Sequence, residues 1–279
     1  MKPTALLASL AVLAAAIALT LRAEERLSVP KPLRALLVIG GCCHDYAKQK
    51  EILKAGLEAR AHLEVDVLYT DDSGTHYRFA EYENPEWAKG YDVVIHDECT
   101  ADVKDPAFVE NIVAAHRDGV PAVNLHCAMH SYRVGTFNKP VEPGTPDALW
   151  FDFLGLQSSG HGPQEPIAIT FADRAHPVTK GLEGWTTGKE ELYNNHAVFP
   201  TAHVLARGQQ GNSEAVVVWT NQYGPKKTRV FSTTLGHNNE TVADDRYLDL
   251  VARGLLWATA KLTDDGRPAP GYAPLGTAK

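Results

Sequence analysis

Four short aliphatic runs alternate with longer segments in the first half of the chain, and this alternation constrains the fold more than any other feature. The runs are Arg34–Ile39, Leu63–Tyr69, Asp92–His96 and Ala122–Leu125. Tyr46–His62 and Asp105–Asp118, which lie between them, have the apolar spacing of amphipathic helices. Strands that alternate with helices indicate a parallel sheet covered on both faces. We therefore predict a doubly wound α/β fold with a mostly parallel sheet.

The second half of the chain is less regular. Ala215–Thr220 and Arg229–Thr234 flank a Gly-Pro turn, which predicts an antiparallel strand pair. Val242–Leu262 has the pattern of a final helix. We therefore expect one α/β domain over residues 30–262, followed by a loose tail at Thr263–Lys279.

Three polar stretches are predicted as loops. Asp71–Lys89 is long and rich in aromatic residues, and Gly135–Asp147 carries three prolines. Loops of this length in a compact domain are usually functional, so we interpret both as loop insertions near a site. A third loop is expected around His161, which is flanked by Gly160 and Gly162.

The first 23 residues resemble a targeting segment. The single cation Lys2 precedes an apolar run from Ala5 to Leu21, with small residues near its end. This pattern is typical of a secretory signal peptide; the alternative is an uncleaved N-terminal anchor, although the run is slightly short for a spanning helix of about 20 apolar residues. We expect export to the periplasm or the extracellular space, with membrane contact only through residues 1–23.

The charge of the chain is acidic. It carries 27 Lys and Arg against 34 Asp and Glu, and cleavage after Ala23 would leave 25 cations against 34 carboxylates, a net charge of −9. Nucleic acids and anionic membrane surfaces are bound mainly through Lys and Arg, so neither is expected as a partner. Gly40-Gly41 lacks the G-x-G-x-x-G spacing, and we expect no nucleotide cofactor.

Three of the predicted strands end in Cys, His and carboxylate side chains. These ends are Gly41–Asp45, His96–Cys99 and His126–His130. In an open α/β sheet, ligands bind in the crevice outside the carboxyl ends of the strands. The three clusters therefore predict one shared site.

His126 is the expected centre of that site. A tight strand-to-helix turn crowds the residues two before and two after its apex. With His126 at the apex these are Asn124 and Ala128, whereas Cys127 would require the bulkier Leu125 and Met129, so we expect Cys127 to turn inward. His126 and His130 could also chelate a metal from one helix face.

Further side chains are candidates for acid–base chemistry, metal binding or substrate contact. Glu191 is the expected carboxylate partner of His126, and His44 is a third catalytic candidate. Phenols and amides in the loops suit the binding of a sugar. The substrate-binding candidates are His161, Tyr193, His237, Asn238 and Tyr132. His62, His116 and His203 look like structural histidines on helix surfaces or sheet edges.

The four cysteines, Cys42, Cys43, Cys99 and Cys127, all lie at predicted strand ends. One interpretation is that they are small buried apolar residues. In an oxidising compartment a disulfide is the alternative, and a thiol redox site is a third.

Taken together, these residues resemble the ThuA-like (trehalose-utilisation) family. The resemblance covers roughly Leu33 to Leu262 and implies a flavodoxin-like sheet, similar to that of class I glutamine amidotransferases, with the site at its carboxyl edge. It also implies a link to oxidised or 3-keto disaccharides. The matching motifs are Cys43-His44-Asp45, Gly119–Ala128, Phe153-Leu154-Gly155, Gly160–Pro163, His176–Leu182, Glu190–Tyr193, Tyr223-Gly224 and Arg229–His237.

The sequence departs from the amidotransferases at the reacting groups. His126 stands where an amidotransferase has its nucleophilic cysteine, and His237 is followed by two asparagines rather than by a His-x-Glu pair. Acyl transfer needs a nucleophile beside an oriented base, so these departures argue against glutaminase activity.

We therefore expect an exported carbohydrate-active enzyme, an isomerase, lyase or hydrolase acting on a keto-sugar or disaccharide through His/Glu acid–base chemistry. A divalent metal such as zinc is compatible with the histidines, and so is a homo-oligomer. The alternative is a non-catalytic protein that binds a sugar or a metal in the same cleft.

Overall fold

The computed structural model describes residues 30–275 of the chain. The predicted signal peptide or anchor at residues 1–23 lies outside the described residues. None of the described helices combines the length and the apolarity that crossing a bilayer requires.

Nine strands form one sheet in the order β2-β1-β3-β4-β9-β8-β7-β5-β6. The first five strands in this order run parallel, and the remaining pairs are antiparallel. The predicted doubly wound α/β fold is confirmed. The strands are β1 Leu33–Gly41, β2 Leu63–Thr70, β3 Val93–Cys99, β4 Ala122–Leu125, β5 Leu156–Phe171, β6 Thr186–Val198, β7 Ala202–Gln210, β8 Ser213–Tyr223 and β9 Thr228–Thr233.

Helices cover both faces of the sheet, and the longer helices start where the sequence supplies a cap. The side chains of Asp45, Asp105 and Asp244 accept hydrogen bonds from the first-turn amides of three of them. Two apolar layers result, one on each face. The α-helices are α1 Tyr46–Glu58, α2 Pro106–Arg117, α3 Leu149–Leu154, α4 Asn239–Val242 and α5 Asp245–Ala258, and short 3-10 turns occupy Ala80–Glu83, His126–His130 and Pro146–Ala148.

The antiparallel half of the sheet is more extensive than the sequence predicts. The predicted pair around Gly224 is present as β8 and β9, but β7 has no counterpart in the prediction. The expected loop around His161 is wrong, because this residue lies within the long strand β5. Register shifts on both sides of His161 accommodate the glycines in a paired strand.

The C-terminal part of the chain folds back on the domain. The predicted final helix is divided into α4 and α5. Beyond it, the Ala269 amide donates to the Lys261 carbonyl, and the His62 amide donates to the Tyr272 carbonyl. The expected loose tail is therefore packed at least as far as Tyr272.

Candidate functional site

The carboxyl ends of β1, β3, β4 and β9 meet at one edge of the sheet. A glycine is required at Gly41, with a φ of 99°, because a Cβ there would lie 2.3 Å from the Cys99 carbonyl oxygen. His126 has a φ of 30°, in the left-handed region that non-glycine residues rarely adopt. The turn after β4 therefore presents His126 at its apex, as the sequence predicts.

Glu191, on β6, lies among three imidazoles that come from distant parts of the chain. Its carboxylate oxygens lie 3.6 Å from His126 Nε2, 3.5 Å from His161 Nδ1 and 3.3 Å from His237 Nδ1. Gln164 Nε2 donates to the same carboxylate at 3.2 Å. We call His126, His161, Glu191 and His237 the edge cluster.

A backbone carbonyl orients the most deeply buried of these imidazoles. His126 Nδ1 lies 2.6 Å from the Thr234 carbonyl oxygen, which can only accept, so Nδ1 carries a proton, and in the neutral ring Nε2 has the lone pair. His126 Nε2 and His237 Nδ1 are both buried and have no hydrogen-bond partner within the described part of the chain. Two imidazole nitrogens without hydrogen-bond partners therefore face the Glu191 carboxylate.

The electrostatics of Glu191 follow from these neighbours. Burial opposes ionisation, but the interactions with His126 and His237 outweigh it and hold the pKa of the Glu191 carboxyl well below its usual range. For His237, burial alone lowers the pKa, and the contact with Glu191 reverses the direction and raises it. Glu191 is therefore a carboxylate at neutral pH.

His44 pairs with a thiol beside the edge cluster. Its Nδ1 donates to the His237 carbonyl at 2.9 Å, so its Nε2 accepts a hydrogen bond from the Cys127 thiol at 2.9 Å. Burial and the neighbouring His126 lower the pKa of His44 to about 3, and burial raises the pKa of the Cys127 thiol well above its usual value. Both groups are neutral, and Cys127 is turned inward, as the sequence predicts.

The cysteines divide into two pairs. Cys42 and Cys43 form a disulfide, whereas Cys99 and Cys127 are buried free thiols. Cys42 Sγ lies 3.4 Å from Cys99 Sγ. The interpretation as buried apolar residues therefore holds for two of the four.

A cavity of about 210 Å³ opens above the edge cluster. A second hollow of about 380 Å³ adjoins it and shares Cys43, His44 and His237 with it. Thr75, from the long loop predicted as an insertion near the site, forms part of the cavity wall. The cavity is lined by Cys42, Cys43, His44, Thr75, Cys99, Ala101, Cys127, His130, Arg133, His161, Glu191, Tyr193 and His237.

Comparison with known proteins gives the family. Residues 34–258 match the family model ThuA, described as trehalose utilisation. This chain belongs to the ThuA family. A search of curated proteins finds no match.

Solved structures similar to this ThuA-family chain share its fold. A protein described as ThuA-like from Parabacteroides merdae is 20% identical, with a TM-score of 0.64 over 87% of this chain and 97% of its own. A second one, from Bacteroides uniformis, is 18% identical, with a TM-score of 0.57 over 86% and 97%. A protein from Thermoplasma acidophilum, described as part of a GMP synthase, is 9% identical, with a TM-score of 0.51 over 82% and 94%. The likeness to class I glutamine amidotransferases is thus one of fold.

Two of the substrate-binding predictions do not agree with the structure of this ThuA-family chain. Tyr132 is fully buried, and its hydroxyl donates to Glu98 Oε1 at 3.0 Å, away from the cavity. The Asn238 side chain caps α4 by accepting from the Glu240 and Thr241 amides. Asn238 therefore lines the second hollow with a side chain that is already in use.

His130 is not a second ligand on a helix face with His126. The segment that contains both is a 3-10 turn rather than an α-helix. The His130 ring stacks on Tyr193, with ring centroids 4.1 Å apart, and its Nε2 lies 2.9 Å from Ser158 Oγ. Tyr193 also lines the cavity, so the stack forms part of its wall.

The end of β3, which carries the predicted group His96–Cys99, contributes less to the site than the sequence predicts. Because β3 continues to Cys99, its side chains alternate between the two faces of the sheet. Cys99 reaches the cavity, while His96 and Glu98 point into the opposite apolar layer. There they form a buried network that we call the inner cluster, with the members Tyr82, His96, Glu98, His116 and Tyr132.

The three histidines interpreted as structural are all bonded within the fold, but one is placed differently from the prediction. His62 Nδ1 lies 3.1 Å from the Gly271 carbonyl oxygen, and His203 pairs with Asp173 on the surface. His116, expected on a helix surface, is fully buried against His96.

Two contributors to the site escape sequence reasoning. Glu190 accepts hydrogen bonds from the Gly236 and His237 amides and so fixes the loop that carries His237; the Glu190-Glu191 pair marks the segment but not this role. Arg133 lines the cavity, and no motif in the sequence identifies it.

Proposed function

We propose that this ThuA-family chain is an enzyme that transfers protons on keto-sugars derived from disaccharides. The observation that carries the proposal is the edge cluster itself: one buried carboxylate faces three imidazoles, and the carboxylate, His161 and His237 line a cavity. Positioned imidazoles and carboxylates are the usual groups of general acid–base catalysis. The family description, trehalose utilisation, supports a sugar as the substrate class.

The accessibility of the side chains divides the roles within the edge cluster. The His161 side chain is 43% exposed, whereas those of Glu191 and His126 are 7% and 2% exposed. His161 Nδ1 lies 2.9 Å from the Gly162 carbonyl oxygen, which leaves Nε2 with the lone pair. His161 is the group that removes the proton next to the ketone, and Glu191 orients it and balances its charge.

Removal of a proton next to a ketone leads to isomerisation or to elimination of the neighbouring glycosidic oxygen. The cavity and the adjoining hollow together give room for the two rings of a disaccharide. Arg133 is the cation on the cavity wall that can contact the enolate oxygen. Residues 1–23 support export as part of the proposal.

Turnover of a 3-keto-disaccharide by the full chain tests this function. We expect Glu191→Gln and His161→Gln each to lower kcat by about 100-fold or more, the range of general acid–base contributions. Glu165→Gln is the matched control, because Glu165 is exposed on β5 beside the same strand pair, and it should retain activity.

Binding of the keto-disaccharide by the unaltered chain without any turnover would contradict the proposal. That outcome would indicate a non-catalytic sugar-binding protein with the same cleft.

A further inference from the structure

We propose that His126, Glu191 and His237 form a binding site for one divalent transition-metal ion of the zinc type. The inference deepens the proposed function, on whose edge cluster it rests. Its test uses no sugar, so that a failure of metal binding and a failure of keto-sugar turnover are seen separately.

In the neutral imidazole, the atom of His126 that faces Glu191 is an acceptor. Its Nε2 then carries a lone pair because Nδ1 donates to the Thr234 carbonyl. A lone pair and a carboxylate both accept, so they attract each other only through a cation between them, either a proton or a metal ion. The His126 side chain is 2% exposed, so bulk water has little access to its Nε2.

The spacing of the three side chains also favours an ion. A proton shared between imidazole and carboxylate draws the two heavy atoms to about 2.7–2.9 Å. The observed separations are 3.6 Å for His126 and 3.3 Å for His237. Ligand atoms about 2.1 Å from a tetrahedral ion lie about 3.4 Å from one another. The separations among His126, Glu191 and His237 therefore fit a metal site better than a short charge-assisted hydrogen bond.

Among the described residues, three groups of His, Cys or carboxylate side chains each bring their ligand atoms within 4.8 Å of one another. Only one of these groups is free to bind an ion. In the set Cys42, Cys43 and Cys99, two sulfurs are bonded to each other. In the set His44, His126 and Cys127, His44 and Cys127 satisfy each other at 2.9 Å. The third set, His126, Glu191 and His237, keeps two nitrogens without partners.

The surroundings also have the features of a metal site. Ligating histidines commonly donate their second nitrogen to a backbone carbonyl, as His126 does to Thr234. Two histidines and one carboxylate leave a coordination position open, as in catalytic zinc sites. Glu191 and His237 line the cavity, so the open position faces the space assigned to the substrate. A bound ion there would polarise a keto oxygen.

The test is metal binding by the full chain in its oxidised form, stripped with a chelator and kept free of reductant. We expect calorimetry with zinc chloride to show one equivalent bound. His126→Gln, Glu191→Gln and His237→Ala should each weaken binding by about 100-fold or more. His203→Ala removes an exposed histidine of a surface pair and should bind zinc like the unaltered chain.

Cobalt(II) identifies the ligand atoms. The proposed nitrogen and oxygen ligands predict visible d–d bands without a sulfur-to-cobalt charge-transfer band, and Cys127→Ser should leave the spectrum unchanged. Melting curves in chelator show whether each variant is folded. If His126→Gln fails to fold, the His237→Ala variant still tests the site, because His237 is partly exposed. A sulfur charge-transfer band, no zinc binding by the unaltered chain, or undiminished binding by the folded variants would overturn the proposal.

Discussion

The inner cluster and the edge cluster contain the same kinds of residue, histidines around a glutamate, but they differ in how completely their histidine nitrogens are paired. In the inner cluster, His96 Nδ1 lies 2.9 Å from Glu98 Oε1, and His96 Nε2 lies 3.0 Å from His116 Nε2. His116 Nδ1 donates to the Val120 carbonyl at 2.7 Å. Every histidine nitrogen of the inner cluster is thus engaged.

The edge cluster is built in the opposite way. His126 Nε2 and His237 Nδ1 have no hydrogen-bond partner within residues 30–275, and their neighbour Glu191 lies on the wall of a cavity. Buried polar groups are normally paired. Within the described residues, Glu98 Oε2 of the inner cluster also lacks a partner. Unpaired histidine nitrogens beside a cavity, and not the residue types, therefore separate the candidate functional site from the structural network.

The largest expected difference is in stability. Glu98→Ala should lower the free energy of unfolding by about 3–5 kcal/mol, because it removes one partner of a buried polar network. Glu191→Ala, measured in chelator, should lower the same free energy by less, about 1–2 kcal/mol, because Glu191 and His237 line a cavity in which water can replace the lost contacts. Denaturant unfolding of both variants measures the difference. Equal losses would mean that the edge cluster is as structural as the inner one.

The acid dependence of stability should also depend on the inner cluster. Burial and the neighbouring His96 lower the pKa of His116 from 6.5 to about 3. Between these values the unfolded chain binds a proton at His116 and the folded chain does not, so stability falls as the pH falls, by about 1.4 kcal/mol per pH unit from this group. Above pH 6.5 the effect is absent.

His116→Leu should therefore flatten the loss of stability between pH 6.5 and pH 3. His44 and His130, whose pKa values are also lowered by burial, contribute in the same direction and are present in both proteins. The measurement is the free energy of unfolding at several pH values. An unchanged slope would show that His116 does not resist protonation in the fold.

The smallest expected effect separates Tyr132 from the cavity. Tyr132→Phe removes the hydroxyl that donates to Glu98 at 3.0 Å and should cost about 0.5–1.5 kcal/mol of stability. Keto-sugar turnover should be unchanged, because the ring is buried away from the cavity. A loss of turnover without a loss of stability would restore Tyr132 to the substrate-binding residues.

Much of the fold could be predicted from the sequence, because local patterns determine it. The aliphatic run of β4 has the predicted bounds, and the segments predicted as helices from Tyr46 and from Asp105 are helices that start at Tyr46 and Pro106. The turn that presents His126 followed from the steric argument on its neighbours. The strand β7 and the pairing of His161 within β5 were missed, because glycines and polar residues obscure the alternation there.

The assembly of the site could not be predicted in the same way. The sequence predicts Glu191 as the partner of His126, but nothing local shows that His161 and His237 also contact it, since these residues come from different strands and loops. The face of the sheet to which His96 points depends on where β3 ends. The polar residues at the end of β3 do not show that the strand continues to Cys99. Burial of His116 likewise depends on packing against His96, a contact between separate elements.

The most direct test of the edge cluster is anomalous diffraction from crystals soaked in zinc, recorded above and below the zinc absorption edge. We predict one strong anomalous peak about 2.0–2.2 Å from His126 Nε2, a Glu191 oxygen and His237 Nδ1, and no peak at the inner cluster. A crystal that binds zinc only at Cys99 and Cys127, at the inner cluster or at surface residues would contradict the proposed metal site at His126, Glu191 and His237.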